Sequence, residues 1–291
     1  MSIHRGILLA GGSGTRLDPM TRVASKQLLP IYDKPMVYYP LSTLMMAGLR
    51  EIQLITTADD APRFAQLLGD GSQWGIDLQI AVQENPDGIA AALLVAEQFI
   101  REEPVCLLLG DNLFYGKLGL DRALAEFESG ARAFAFPVND PERYAVVEFD
   151  DDGAVKSLEE KPSEPRGSYA VAGLYLLDGT AVARTKTLRP SARGELEITD
   201  LNRSYLEDGA LAIEPVGRGV SWLDTGTPES MLEASQMIAT VQRRQGLRIG
   251  CPEEVSWRAG WIDDAQFGAC LEALPPSPYR DDLAALLEEG R

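Results

Sequence analysis

Short apolar runs alternate with amphipathic stretches along the first part of the chain. Residues 7–10, 52–57, 77–82 and 105–109 have strand length and strand composition. Short runs of this kind bounded by turn residues predict buried strands. Between them, 41–49 places Leu41, Leu44, Met45 and Gly48 at helical spacing, and 61–68 opens with Pro62 near its first helical position. These two segments and 90–100 predict helices. Such alternation predicts a parallel sheet with helices on both faces. Beyond Leu120 the texture changes, and strands are predicted at 133–138, from the turn at 140–143 into 149, at 155–158, at 169–175 and at 211–216. Asp150-Asp151-Asp152-Gly153 reads as a hairpin-like turn. The segment 193–200 leads into a helix ending near Glu207, and Thr227 with Pro228 predicts an N-cap followed by the first helical residue. From Ser230 the pattern is mostly helical. It is interrupted at 251–255 and again by Pro275-Pro276-Ser277-Pro278, before an acidic helix ending at Gly290. The expected class is α/β, a Rossmann-like mixed, mostly parallel central sheet, with a smaller β region in the second half and C-terminal helices.

The first strand ends in Gly11, Gly12, Ser13, Gly14 and Thr15, followed by Arg16 and, ten residues on, Lys26. Glycines permit positive φ and let a ligand approach the backbone closely. A strand feeding such a loop, with cations beyond it, predicts a phosphate cradle. Two better-known loops are excluded. No Gly-Lys-Ser/Thr occurs, and a dinucleotide fingerprint starting at Gly12 meets Leu17 where its third glycine belongs.

Three other strand exits carry candidate chemistry. Gln83-Glu84-Asn85-Pro86-Asp87-Gly88 follows the third strand. It reads as a turn or, through the paired donor and acceptor of Gln83, as a reader of a pyrimidine base edge. Gly110-Asp111-Asn112 follows the buried strand 105–109. There Asp111 either caps a turn or holds Mg²⁺ against a polyphosphate. By themselves Glu160-Lys161 reads as an ordinary surface ion pair and Arg193 as part of a helix-capping run.

Length and charge narrow the classes. The 291 residues predict one large or two small domains. The net charge of −17 argues against general nucleic-acid binding. A lone histidine, His4, near the start of the chain leaves almost no room for a mechanism with a histidine base. Cys106, Cys251 and Cys270 have no metal-ligand spacing, and no apolar run reaches membrane-spanning length. A cytoplasmic, reduced protein is expected.

The glycine loop joined to Arg16 and Ser25-Lys26-Gln27-Leu28-Leu29-Pro30 resembles the sugar-nucleotidyltransferases, and in this form their thymidylyl-transferring branch, in its short bacterial form. The resemblance runs from Gly6 to about Ile262. It implies an enzyme that joins dTTP to a hexose 1-phosphate such as glucose 1-phosphate, with Mg²⁺ as cofactor and pyrophosphate as second product. It implies Arg16, Lys26, Asp111, Lys161, Arg193 and Asp224 as catalytic residues, with Asp111 and Asp224 as the metal ligands. Leu9, Gly11, Gly12, Ser13, Gly14, Thr15, Gln27, Gln83, Pro86, Gly88 and Asp111 would surround the nucleotide. Asn112, Ala145, Glu160, Lys161, Val171 and Arg193 would surround the sugar phosphate. It also implies a catalytic unit over 1–240, with a nucleotide half to about 125 and a sugar half over about 126–230. A C-terminal segment, 241–291, would serve oligomerisation, commonly as a dimer of dimers, and a regulatory nucleotide or dTDP-sugar. The chain departs from the family at Ala91, Ala172 and Ala145, where glutamine, threonine and glycine are common. The Ala145 methyl either narrows the sugar pocket or points into the sheet. Three alternatives stand beside this reading: a uridylyltransferase, a non-catalytic nucleotide sensor, and an NAD(P)-dependent oxidoreductase. The sensor should have lost a cation or carboxylate named above. The oxidoreductase should show the third glycine and a catalytic tyrosine–lysine pair or histidine.

Overall fold

The computed structural model describes residues 2–12 and 14–290. Its central mixed sheet is built on β1 (Arg5–Leu9), which pairs in parallel with β4 (Glu51–Thr56) and β6 (Val105–Leu109); β4 pairs in parallel with β5 (Asp77–Val82). Leu8 lies opposite Leu54 on one side and Leu108 on the other. Side chains alternate between faces along a strand, so β1 serves two cores. Leu8 and Ala10 pack with Leu41, Leu44 and Met45 of α1 (Tyr38–Met46) and with Phe64 and Leu68 of α2 (Ala61–Leu68). Ile7 and Leu9 pack on the other face with Leu93 of α3 (Ala91–Val95) and Ile100 of α4 (Glu97–Ile100). Burial pushes the Cys106 thiol up, as befits a core residue.

The second half extends the same sheet. β11 (Tyr169–Leu177) runs antiparallel to β6 and to β8 (Ala131–Pro137); beyond it come β9 (Ala145–Phe149) and β10 (Val155–Glu160), while β12 (Leu211–Pro215) pairs in parallel with β8. α5 (Leu120–Ala125) and α6 (Ala181–Thr185) are short, and α7 (Ile198–Glu207) covers the second core with Ile198, Leu201 and Tyr205. Two ribbons have no forerunner in the apolar pattern: β2 (Pro30–Ile31) pairs antiparallel with β3 (Lys34–Pro35), and β7 (Asn112–Tyr115) with β13 (Ser221–Asp224).

Several boundaries differ from expectation. The first helix starts at Tyr38 and stops at Met46, because Gly48 turns the chain at φ 93° into β4. The helix expected at 90–100 is interrupted at Ala96. The expected break at 251–255 is instead the start of α9 (Pro252–Arg258), where proline occupies the first turn and gives up an N–H that no helix would use.

α8 (Pro228–Gln245) is capped as expected: Thr227 Oγ1 accepts from Ser230 N at 3.2 Å. It runs through residue 240 without interruption and buries Met231, Ala234 and Ile238 against Leu17, Ile31, Met36 and Leu113. α8 thereby buttresses the segment just after the glycine loop. α9, α10 (Asp264–Ala273) and α11 (Pro278–Glu289) form a small core around Trp257 and Phe267, whose rings stack at 4.9 Å. They rest on the first half of the chain, where the Arg50 guanidinium lies 5.4 Å from the Trp261 ring.

Candidate active site

The parallel strands β1, β4, β5 and β6 deliver their carboxyl ends to one edge, where open α/β sheets bind ligands. Beyond them lies a cavity of about 420 Å³ lined by Leu9, Gly11, Gly12, Gln83, Pro86 and Gly88. Thr56, Thr57 and Glu195 also line it. Gly12 has φ 120° and nothing within 4 Å of where a Cβ would stand, which leaves its backbone open to a ligand. Gln83 Nε2 donates to Gly88 O at 3.2 Å, so the amide is oriented by the turn it opens. Gly88 has φ 102°, and a Cβ there would lie 2.4 Å from Leu196 O. Glycine is required because Leu196 clasps the turn, donating to Asp87 O at 2.6 Å and accepting from Ala90 N at 3.1 Å.

At the next exit, Gly14 has φ 56°, and its carbonyl accepts from Thr21 Oγ1 at 2.9 Å. Thr15, Arg16 and the buried Leu17 form a single 3₁₀ turn. Leu17 packs in the α8 core and so fixes where Arg16 begins. A second 3₁₀ turn, Lys26–Leu28, carries Lys26, whose ammonium pairs with the Asp111 carboxylate. Gln27 is 3% exposed, and its Oε1 has no hydrogen-bond partner among the described residues. It is a buried acceptor beside Gly110.

The ribbon β7–β13 settles what spacing leaves open. Asp224 is paired with Asn112 in register, and Thr225 grips Asp111 O through its backbone N–H at 3.2 Å and its hydroxyl at 2.9 Å. Asp111 and Asp224 are therefore neighbours. Asn112 Nδ2 donates to Asp111 Oδ1 at 2.8 Å, and its Oδ1 accepts from Gly173 N and Trp222 Nε1. The two carboxyls are pushed apart in acidity. Burial would raise the Asp111 carboxyl, but the Lys26 ammonium and hydrogen bonds from Lys26 and Asn112 hold it below the usual range. Burial and the Asp111 charge raise the Asp224 carboxyl, against the pull of Lys26, Arg16 and Arg143. Arg143 Nη2 stands 3.6 Å from Asp224 Oδ2. A Cβ on Gly226 would lie 3.1 Å from Arg16 Nη2 and 3.2 Å from the Asp224 carboxylate, which places Arg16 at the same edge.

This donor set fits a hard divalent cation shared with substrate phosphates. The like charge on Asp111 and Asp224 invites a cation. No group of three or more His, Cys, Asp or Glu completes a protein cage among the described residues. Mg²⁺ is commonly held by one or two carboxylates plus phosphate oxygens and water.

On the far side of the carboxylates, Glu160 ends β10 opposite Ala145, so both side chains share a face. Glu160 Oε2 accepts from Thr199 Oγ1 at 2.6 Å, and its Oε1 lies 3.4 Å from Lys161 Nζ. Lys161 has φ 44°, and its N–H donates to Tyr144 O at 2.9 Å. Arg193 Nη2 donates to Glu197 at 2.8 Å and lies 3.7 Å from Glu195, a wall residue of the 420 Å³ cavity. Val171 is buried in the second core, and Ala145 packs against that core.

The profile of the nucleotidyl transferase family matches residues 5–241. A glucose-1-phosphate thymidylyltransferase of Neisseria gonorrhoeae is 57% identical over 286 residues, covering 97% of this chain and 99% of the relative. That of Xanthomonas campestris is 53% identical over 293 residues, covering 100% of this chain and 99% of the relative. The chain belongs to the nucleotidyl transferase family, in its glucose-1-phosphate thymidylyltransferase group. A Bacillus anthracis candidate of the same group, crystallised with sucrose, superimposes with a TM-score of 0.75 at 37% identity, over 80% of this chain and 94% of that one. A UDP-glucose pyrophosphorylase with UDP-glucose bound shares the fold at a TM-score of 0.71 and 23% identity, over 82% of this chain and 99% of that one.

In this transferase, most residues expected at the nucleotide fall along one cleft edge: Leu9, Gly11, Gly12, Gln83, Pro86 and Gly88 on the cavity wall, with Gln27 and Asp111 beside it. Gly14 and Thr15 lie at the loop exit, and Ser13 lies outside the described residues. Asn112 spends its amide inside the protein, as the orienter of Asp111. Sequence reasoning assigned no role to Arg143 or Trp222. Arg143 follows a turn signal that was legible, but its proximity to Asp224 depends on the ribbon. Trp222 lies 5.1 Å from the Tyr144 ring through the same pairing.

Proposed function

We propose that the chain catalyses the reaction of dTTP with α-D-glucose 1-phosphate to give dTDP-glucose and pyrophosphate. The observation that carries the reading is the cluster of Asp111, Asp224, Lys26 and Arg16: Lys26 pairs with Asp111, and Asp224 feels the charges of Asp111, Lys26 and Arg16. The thymine edge would meet Gln83 and the Gly88 turn. The buried acceptor of Gln27 is suited to a donor hydroxyl of the nucleotide. Lys161 and Arg193 would hold the sugar phosphate by charge-assisted contacts, and Glu160 would accept from sugar hydroxyls.

A phosphate oxygen of the sugar, already deprotonated, attacks the α-phosphorus. A new P–O bond forms as the bond to the pyrophosphate oxygen breaks, so no protein base is needed. The protein contributes alignment and charge stabilisation. Arg16 and Lys26 offset the charge that grows on the pyrophosphate. Mg²⁺ on Asp111 and Asp224, when bound, supplies Lewis-acid neutralisation of phosphate oxygens.

A homotetramer, a regulatory nucleotide or dTDP-sugar, and a cytoplasmic location complete the proposal. An exposed Met46 borders a surface cavity of about 780 Å³ whose lining mixes Lys117, Arg122 and Arg218 with Asp121 and Glu214, and the exposed apolar side chain supports a subunit contact there. The family profile ends at 241, which supports a separate role for the segment beyond it. No helix of the described residues is long and apolar enough to cross a membrane. Pyrophosphate release measured over a grid of dTTP, UTP and other nucleoside triphosphates against several sugar 1-phosphates tests the reading. Highest kcat/KM for dTTP with glucose 1-phosphate is expected, and preference for another pair overturns it.

A further inference from the structure

The connection from β4 to α2 carries a carboxylate with no part in the chemistry above. Asp60 is 7% exposed and occupies the N-cap position of α2. An aspartate there ordinarily accepts from an N–H of its own helix, yet Asp60 makes no side-chain cap bond. Its carboxylate turns away instead. Oδ1 accepts from Ser25 N at 3.3 Å and from Arg63 Nη1 at 2.6 Å, and Oδ2 accepts from Thr57 Oγ1 at 3.2 Å. Ser25 is the residue before Lys26, and its carbonyl starts the turn that carries Lys26, accepting from Leu28 N at 3.0 Å. Thr57 in turn lines the base cavity. Asp60 thus ties the wall of the nucleotide cavity to the backbone from which the Lys26 ammonium reaches Asp111.

We propose that Asp60 is a positioning residue for Lys26: it fixes the Ser25 backbone so that the ammonium meets the phosphates in the geometry of reaction. The inference rests on the reading of Lys26 as a phosphate-side cation. The carboxylate that leaves the α2 cap is shared between Arg63 of its own helix and the Ser25 N–H, and the second of these belongs to the segment that carries a catalytic charge.

Two substitutions remove the same bond from opposite ends. Asp60→Ala deletes the acceptor. Ser25→Pro deletes the donor at a residue whose φ of −61° matches that of proline, and Ser25→Ala, which keeps the N–H, controls for the loss of the hydroxyl, which has no partner among the described residues. Steady-state kinetics for both substrates and thermal unfolding are measured on the full chain. Both variants are expected to lose on the order of tenfold to a hundredfold in kcat, the scale of a catalytic group displaced by about an ångström. The KM for glucose 1-phosphate should stay within about twofold, since that substrate's contacts are untouched. Asp60→Asn keeps an oxygen for the Ser25 N–H and should recover to within about threefold of the parent, in line with one neutral hydrogen bond replacing a charged one. Unchanged kcat in Ser25→Pro overturns the proposal, as does a loss in the Asp60 variants that follows only the fraction folded. Lys26→Ala separates the two readings. If it keeps kcat, the role of Lys26 fails and this inference with it. If it loses kcat while Ser25→Pro does not, only the inference about Asp60 fails.

Discussion

Replacing Lys26 by methionine should change stability and chemistry together, and with a particular pH signature. The Lys26 and Asp111 side chains are 11% and 20% exposed, so their pair is largely dehydrated. Removing one partner of a buried pair leaves a stranded charge and costs about 3–5 kcal/mol. Asn112 still donates to Asp111, which puts the expected loss at the lower end, about 3 kcal/mol at pH 7. At roughly 2–4 °C per kcal/mol for a domain of this order of size, the melting temperature should fall by about 6–12 °C. In the parent, Asp111 has a folded pKa below its unfolded value. It therefore contributes stability above the ordinary carboxylate range, near 3.9, and loses it as pH falls through the lower folded value. In the variant the main opposing charge is gone, and burial pushes the carboxyl up. That carboxylate then destabilises the fold increasingly as pH rises through and above the ordinary range. The gap between parent and variant should be widest near neutrality, narrow as pH falls toward the ordinary carboxylate range, and close only below the parent's lowered folded value. Adding Asp111→Asn to Lys26→Met should recover part of the loss, because a neutral amide tolerates burial where a lone carboxylate does not. Thermal unfolding between pH 4 and 8 reads the stability arm, and pyrophosphate release reads the chemistry. kcat should drop about 10²–10³-fold, the scale of one lost charge-stabilising group. An unchanged melting temperature at pH 7, or a gap that stays constant down to pH 4, would refute the claim that this pair holds the buried carboxylate ionised.

Other predictions test the two ends of the cleft. Gln83→Ala should raise the KM for dTTP by roughly tenfold or more, about 1–3 kcal/mol for an unpaired base edge, with the KM for glucose 1-phosphate unmoved; equal shifts in both would return Gln83 to a structural turn. Lys161→Ala and Arg193→Ala should each weaken use of glucose 1-phosphate while dTTP titration stays close to the parent curve, and the reverse pattern would mean the halves of the cleft are exchanged. Ala145→Gly should leave glucose 1-phosphate kinetics within about twofold, because the methyl packs on the second core and a core absorbs one methyl readily; a rise of tenfold in kcat/KM would show that the methyl crowds the sugar.

What the chain discloses of itself divides along the range of the interactions involved. The phosphate cradle was legible because strand β1, its glycines and Arg16 are contiguous: one apolar run, one turn chemistry and one charge suffice to name them. The two-faced sheet was legible for the same reason, since the apolar runs of β1, β4 and β6 state their own burial. The pairing of Asp224 with Asp111 was not, because it rests on a ribbon whose two strands lie over a hundred residues apart and have four residues each. So short a strand has too few alternations to register as a period. The same ribbon carries Trp222 and sets Asp224 beside Arg143, which is why both Trp222 and Arg143 went without a role. Pro252 misled in the opposite direction: a residue that breaks helices from within also begins them, and only the partners of the following turn decide which. Asp60 shows the limit most clearly. Its residue type and place before a helix announce a cap, while its carboxylate holds a loop distant in sequence. Local propensity names the residues with polar groups to spend. Tertiary contact decides where they are spent, and Asp60, Asn112 and Thr225 all spend theirs on the backbone and charges around Lys26 and Asp111.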